Sequence, residues 1–196
     1  MATIIYLHGF ASIGTSAKSQ ALVDAFGQDS VYAPDLPFNP SEVIDLVTKL
    51  VTDAVAKSAS YPVVFVGTSL GGFWANYFAQ RFDAPCVIVN PSTDPAKSFA
   101  PRVGQTAVTY ATGTEFEITQ ADIEQFAKCV DDTNKLQNGY LVNLFLAKDD
   151  DVIDYARTLS VIKHTNTTVV TEDGGHRFDK NWSMVIDRIA SIVTSA

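Results

Sequence analysis

A Gly-x-Ser-x-Gly motif, Gly67-Thr68-Ser69-Leu70-Gly71, follows a run of apolar β-branched residues and precedes a helical pattern. Between a strand and a helix, this motif is typical of a nucleophile elbow, a sharp turn that holds a serine above the edge of a sheet. The glycines leave room for the chain to reverse beside the strained serine. At average glycine and serine frequencies, chance would produce the pattern about 0.05–0.1 times in this length. The motif therefore predicts Ser69 as a nucleophile.

A serine hydroxyl becomes a good nucleophile when a base, most often a histidine, takes its proton. The chain has three histidines, His8, His164 and His176. His8 precedes the motif, and His164 precedes the last predicted strand, at the opposite edge of the sheet. His176 follows that strand, and it also fits the order serine, acid, histidine that is typical of this elbow. We therefore expect His176 to be the base.

An acid that orients the histidine is expected after the fifth predicted strand, where three aspartates are adjacent. Asp149, Asp150 and Asp151 offer one candidate acid, one helix cap and one solvated side chain. We favour Asp150, with Asp149 as the second choice, and the residues alone leave the choice open.

Backbone N–H groups are expected to stabilise the negative charge that develops on an attacked carbonyl oxygen. With this elbow, one donor is the residue after the nucleophile, here Leu70. The second comes from the loop after the first strand, where Phe10 follows His8-Gly9. Phe10 and Leu70 are therefore the predicted oxyanion hole.

Strands and helices alternate along the chain, which predicts an α/β fold with a mostly parallel sheet of about six strands, covered by helices on both faces. The predicted strands are 3–7, 31–33, 63–66, 86–89, 140–147 and 167–170. The predicted helices are 16–26, 40–55, 70–81, 120–130, 181–193 and one within 151–162. Residues 92–138 interrupt this alternation. We expect one domain over 1–196, with 92–138 as a small lid or cap over the loops that follow the strands.

The composition excludes several classes of function. Of the 196 residues, 46% are hydrophobic, and the formal net charge of −8 comes from scattered residues, which argues against a nucleic-acid partner. No apolar run approaches the ~20 residues of a membrane span. The first residues lack signal-peptide features, so we expect a cytoplasmic protein. Cys86 and Cys129 are then expected to be buried free thiols. No cofactor and no metal are predicted.

Several segments together resemble the small bacterial YqiA-like esterases, compact α/β-hydrolases. The segments are Tyr6-Leu7-His8-Gly9-Phe10, Ser16-Ala17-Lys18, Gly67 to Phe73, Asn90-Pro91, Asp150 to Tyr155 and Gly174 to Phe178. The resemblance implies an α/β-hydrolase fold and cleavage of simple acyl esters without a cofactor. It implies Ser69 as nucleophile, Asp150 as the acid and His176 as base. Asp149 stands where a glycine is expected, and residues 92–138 match weakly.

Other functions fit the same residues less well. The first loop approaches a phosphate-binding P-loop, but Thr15 stands where the essential lysine belongs, and Lys18 is displaced into the helix. A thioesterase that uses the same triad, and a non-catalytic scaffold of the same fold, are the alternatives to an esterase. The expected partner is a small acyl ester or thioester. Phe99, Phe116 and Phe126 are expected to be core of the 92–138 segment more readily than an acyl pocket.

Overall fold

Apolar runs form one six-stranded parallel sheet in the computed structural model, which describes residues 2–57 and 62–195. The strands are β1 (Thr3–Leu7), β2 (Val31–Tyr32), β3 (Val63–Thr68), β4 (Cys86–Val89), β5 (Thr106–Val108), β6 (Glu115–Glu117), β7 (Val142–Ala147) and β8 (Thr167–Thr171). The sheet order is β2-β1-β3-β4-β7-β8, and every neighbouring pair is parallel. The carboxyl ends of all six strands therefore lie at one edge.

Helices cover both faces of this sheet. They are α1 (Ala17–Phe26), α2 (Pro40–Lys57), α3 (Leu70–Phe82), α4 (Pro95–Phe99), α5 (Gln120–Leu136), α6 (Tyr155–Val161) and α7 (Trp182–Ser195). On one face, Val47 and Trp74 pack into the same core as Phe65 of β3. On the other face, Leu22 and Ile189 pack with the alternate residues of the strands. The predicted α/β architecture is confirmed, and the central strands β1, β3, β4 and β7 are buried from both sides.

Several element ends differ from the sequence-based expectation by one to six residues. The strand predicted from residue 140 begins at Val142, because Gly139–Leu141 forms a 3₁₀ turn that leaves Tyr140 exposed. The helix predicted within 151–162 is confirmed as Tyr155–Val161. Its cap is Asp154, whose carboxylate accepts the N–H groups of Ala156 and Arg157. A short polar run before a helix holds several possible caps, and only the backbone path selects one.

The segment 92–138 contains α4, an antiparallel hairpin of β5 and β6, and α5. The hairpin was not foreseen, because each of its strands has only three residues. Helix α5 continues to Leu136 and packs on α3, where Phe126 is fully buried beside Phe73 and Trp74. Within the described ranges, no helix is both long enough and apolar enough to cross a membrane.

The turn from β3 into α3 is too crowded for side chains at its two motif glycines. A Cβ atom built on Gly67 would lie 2.0 Å from the carbonyl oxygen of Gly71. One built on Gly71 would lie 2.0 Å from the carbonyl oxygen of Leu7 in β1. These distances are far below van der Waals contact, and both neighbours are backbone atoms. Helix α3 therefore lies directly on the end of β1.

We expect Gly71→Ala to lower the free energy of unfolding by about 3 kcal/mol or more, because the methyl group must push α3 away from β1. The matched control is Gly104→Ala, where a Cβ atom would meet open space at φ +79°. That variant should lose only about 1 kcal/mol, from backbone strain. Urea unfolding measures both values, and equal losses would contradict the packing argument.

Candidate active site

Ser69 occupies the tip of the crowded turn with a strained backbone. Its φ of 56° and ψ of −122° lie in a region that non-glycine residues rarely adopt, at a cost of about 1–3 kcal/mol. Its N–H donates to the carbonyl oxygen of Val89 at 3.0 Å, and its own carbonyl accepts the N–H groups of Gly72, Phe73 and Ser92. These bonds hold the turn and place Ser69 at the carboxyl edge of the sheet. Ser69 is half-buried there.

His176 lies against Asp150 at the same edge. The imidazole Nδ1–H donates to both carboxylate oxygens, at 2.9 Å to Oδ2 and 3.0 Å to Oδ1. The Asp150 side chain is only 1% exposed, whereas that of His176 is 24% exposed. Because Nδ1 carries the donated proton, Nε2 is left with a free lone pair. Nε2, on the side of the ring away from Asp150, is therefore available to accept a proton.

Asp150 stays ionised in this setting. Burial alone would raise the pKa of its carboxyl group, but the hydrogen bond from His176 and those from the N–H groups of Ile153 and Val152 outweigh burial and lower that pKa. The two backbone bonds, 2.9 Å and 2.8 Å long, both reach Oδ1. A fixed negative charge of this kind orients the imidazole and stabilises its protonated form.

The other two aspartates of the run have different places. Asp149 accepts the N–H groups of Gly175 at 2.8 Å and Gly174 at 3.3 Å, so it anchors the loop that carries His176. Asp151 is exposed. Of the three candidate acids, the structure therefore brings Asp150 to the imidazole and Asp149 to the loop behind it.

Asn90 is a polar residue of the site to which the sequence motifs assigned no role. Its side chain is buried, and its Nδ2 donates to the carbonyl oxygens of Gly175 at 3.0 Å and His176 at 3.1 Å. Its Oδ1 accepts the N–H of Ala147, the last residue of β7, at 3.0 Å. Asn90 thus ties the histidine loop to the sheet. The available signal was an asparagine directly after a strand and before Pro91.

The other two histidines, His164 and His8, have different surroundings from His176. His164 is exposed, with a positive φ of 57°. His8 is buried at the end of β1, where its Nε2 accepts the N–H of Leu36 at 2.8 Å and its Nδ1 donates to the carbonyl oxygen of Gly9 at 2.8 Å. Burial lowers the pKa of His8, although its hydrogen bond to Gly9 and the nearby Asp35 act in the opposite direction. Both ring nitrogens are occupied, so His8 is a neutral structural residue.

A cavity of about 670 Å³ opens between this edge and the 92–138 segment. Ser69, His176, Phe10 and Leu70 all line it. Ser69 Oγ and His176 make no hydrogen bond with each other, and both face this space. A Cβ atom on Gly9 would lie 3.4 Å from Ser69 Cβ, so the backbone that leads into Phe10 passes close to the serine. Leu70 is the first residue of α3, and its N–H therefore lacks an intrahelical acceptor.

A second cavity, of about 570 Å³, shares the wall formed by Phe10 and Leu70. Of the three aromatic residues considered for an acyl pocket, Phe99 lines the first cavity and Phe116 the second. Phe126 lies in the core between α3 and α5. The Phe10, Phe38, Phe99 and Phe116 rings form one cluster, so the wall between the cavities belongs to the same aromatic packing.

Both cysteines are free and buried, as expected from the sequence. Burial raises the pKa of the Cys86 thiol strongly and that of Cys129 to about 11, so neither has thiolate character at neutral pH. In the part of the chain that the structure describes, no three metal-ligating side chains are grouped to hold an ion.

Comparison with known proteins agrees with this architecture. The profile of the family described as "Uncharacterised protein family (UPF0227)" matches residues 3–194. A UPF0227 protein of Vibrio parahaemolyticus is 26% identical over 178 residues, which cover 90% of this chain and 92% of the relative. These matches confirm the resemblance drawn from the motifs.

Solved α/β-hydrolase structures share the fold. Alpha/beta hydrolase domain-containing protein 10 from mouse superposes with a TM-score of 0.67 at 16% identity, covering 98% of this chain and 90% of that one. The monoacylglycerol lipase of Paleococcus ferrophilus gives a TM-score of 0.67 at 13% identity, with coverages of 97% and 96%. At these identities the likeness establishes the α/β-hydrolase fold.

Replacing Asn90 should destabilise the protein through its lost hydrogen bonds. Asn90→Ala also places alanine at a positive φ of 42°, whereas Asn90→Gly avoids that strain. We expect each variant to lose about 2 kcal/mol or more of unfolding free energy in urea, because buried partners are left unpaired. Asn134→Ala, at an exposed position in α5, is the control and should change little. Wild-type stability in Asn90→Gly would refute this role.

His8 should make stability fall with acidity. Because its pKa is lower in the folded state than in the unfolded state, the unfolded chain binds a proton first as the pH drops below about 6.5. The free energy of unfolding should therefore decrease from that pH down to the pKa of folded His8. Urea unfolding at pH 7.5 and 5.0 should show a larger decrease in wild type than in His8→Gln. His164→Gln should keep the wild-type decrease, and equal decreases in all three proteins would exclude this linkage.

Proposed function

The chain belongs to the uncharacterised protein family UPF0227, and from the arrangement of its site we propose that it is a serine hydrolase that cleaves acyl esters through an acyl-enzyme intermediate. The observation that carries the proposal is the strained Ser69 on its turn, facing the same cavity as a histidine that is hydrogen-bonded to a buried carboxylate. A less strained residue would meet any purely structural need at this turn better than serine does, so the combination indicates a reactive serine.

In the first half of the reaction, His176 Nε2 takes the proton of Ser69 Oγ as that oxygen attacks the ester carbonyl. Asp150 stays ionised and balances the charge of the imidazolium. The carbon–alkoxide bond then breaks, and His176 gives the same proton to the leaving oxygen. In unliganded enzymes, catalytic hydrogen bonds are often long or poorly aligned. The hydrogen bond between Ser69 and His176 forms when substrate binds.

The negative charge on the attacked oxygen is stabilised by the backbone N–H groups of Phe10 and Leu70. Two observations support these donors. The Leu70 N–H is at the N-terminus of α3, where the helix dipole also favours an anion. The chain from Gly9 to Phe10 passes beside Ser69.

In the second half, His176 takes a proton from water, and the resulting hydroxide attacks the acyl-enzyme. The acid leaves, Ser69 regains its proton from His176, and no cofactor is needed. The 92–138 segment acts as a cap of the single domain 1–196, since its residues Phe99, Arg102 and Tyr110 line the cavity above Ser69. The substrate is a small acyl ester. The name of the Paleococcus ferrophilus neighbour, monoacylglycerol lipase, gives ester hydrolysis on this fold a precedent.

A fluorophosphonate probe tests the proposal, because it forms a covalent bond only with an activated serine. Wild type should be labelled, and Ser69→Ala and His176→Ala should lose the label together with p-nitrophenyl butyrate hydrolysis, by about 10³-fold or more. The controls are Ser98→Ala, a serine that lines the same cavity, and His164→Ala, and both should keep wild-type labelling. An unlabelled wild type would favour a non-catalytic scaffold instead.

The same assay distinguishes the acids. Asp150→Asn should lower turnover by about 10³–10⁴-fold, because the imidazole loses its charged partner and its fixed tautomer. Asp151→Asn, at an exposed position, should keep near-wild-type turnover. A larger loss in Asp149→Asn than in Asp150→Asn would reverse the assignment. Acyl thioesters in the same assay decide between an esterase and a thioesterase.

A further inference from the structure

The cavity above Ser69 has an unusual charge for this protein. The whole chain carries 22 acidic and 14 basic residues, for a formal net charge of −8. Three basic side chains, Lys18, Arg102 and Arg177, line the cavity, and no described carboxylate lines it. The second cavity, beyond Phe10, has the opposite character, with acidic residues including Asp35, Glu42 and Glu117 on its walls. Positive charge is therefore concentrated on the side of the wall that holds the serine.

Two of the three cations are already partnered. The Asp179 carboxylate forms two ion pairs. Its Oδ1 pairs with Lys18, and its Oδ2 lies 3.0 Å from Nε of Arg177. The Lys18 side chain is only 12% exposed and also lies over the Trp182 ring. Lys18 thus has a structural role between α1 and α7, whereas the Arg177 side chain is 79% exposed, so water screens its charge.

Arg102 has no such partner. None of the ion pairs or side-chain hydrogen bonds found in residues 2–57 and 62–195 includes its guanidinium. The group is half-buried on the aromatic wall, with Cζ at 4.8 Å from the Phe10 ring centroid and 5.8 Å from that of Phe99. Contact with the faces of two rings restrains the guanidinium, and no described side chain uses its N–H donors. A planar guanidinium held in this way is preorganised for a bidentate anion.

We propose that Arg102 is a specificity-determining residue that binds a carboxylate on the substrate, so that the site prefers acyl esters that carry this negative charge. The proposal rests on the serine hydrolase function proposed above. A carboxylate matches the single free guanidinium in charge and shape. A phosphate monoester carries close to two charges at neutral pH and would leave one of them unpaired here. Phe10, whose N–H is assigned to the oxyanion hole, supports the guanidinium with its ring, so the bound carboxylate lies near the scissile carbonyl.

Matched ester pairs test this preference on each side of the scissile bond. The first pair is p-nitrophenyl hydrogen glutarate and p-nitrophenyl methyl glutarate, which differ in the acyl charge. The second is 3-carboxyphenyl butyrate and its methyl ester, which differ in the leaving-group charge. For at least one pair, we expect wild-type kcat/KM to favour the charged ester, and Arg102→Gln to reduce that preference by about tenfold or more. The loss on the neutral ester should be at least about tenfold smaller than the loss on the charged ester.

Control variants separate binding of the anion from a structural effect. Arg157→Gln removes the same charge from an exposed position in α6 and should keep the wild-type preference. Arg102→Lys keeps the charge but lacks the planar donors, so it should keep part of the preference for the charged ester. Added sodium chloride should weaken the preference in wild type more than in Arg102→Gln.

Each outcome has a definite meaning. Equal rates for the charged and neutral esters in wild type would overturn the role of Arg102 while leaving the hydrolase function standing. An equal loss on both members of each pair in Arg102→Gln would also overturn it, since such a loss indicates general damage to the site. Absence of any Ser69-dependent hydrolysis would instead remove the function on which this inference rests.

Discussion

The contact between α3 and the end of β1 is the constraint on which the site depends. The backbone of Gly71 meets the carbonyl oxygen of Leu7 with no room for a Cβ atom, so the helix starts directly above the sheet. Ser69 is then forced to the edge, and the loop that leaves β1 passes beside it. One steric contact therefore positions the serine, the Leu70 N–H and the Gly9-Phe10 backbone relative to one another. Only glycine permits that approach.

The histidine reaches the same edge by a separate route, through polar contacts instead of packing. Asp149 and Asn90 bind the backbone of the Gly174–His176 loop, and Asp150 binds the imidazole itself. These three side chains follow β4 and β7, which are neighbours in the sheet. The parallel topology thus converts residues far apart in sequence into one hydrogen-bonded unit. The hydrogen bonds to Asp150 keep it ionised in spite of burial, and burial leaves its charge less screened by water than that of an exposed aspartate.

The sequence predicted most of the fold because buried parallel strands are continuous apolar runs, which stand out against amphipathic helices. The positions of Ser69 and His176 followed from motif and chain order. The choice among three adjacent aspartates did not, since it depends on the backbone path after β7. Asn90 and Arg102 were also beyond the pattern, because their partners are backbone carbonyls and aromatic rings from distant segments. The β5–β6 hairpin was not predicted because strands of three residues are too short to show a hydrophobic period.

The positive φ of Ser69 also has a consequence for how this chain can diverge. The strain lowers the stability of the folded protein, and the backbone hydrogen bonds that hold the turn do not require a side chain at this position. A descendant that no longer needed the hydroxyl could replace Ser69 with glycine and become more stable in a single step. Under the proposed function, selection for activity must oppose that replacement. Activity and thermodynamic stability would then favour different residues at this position.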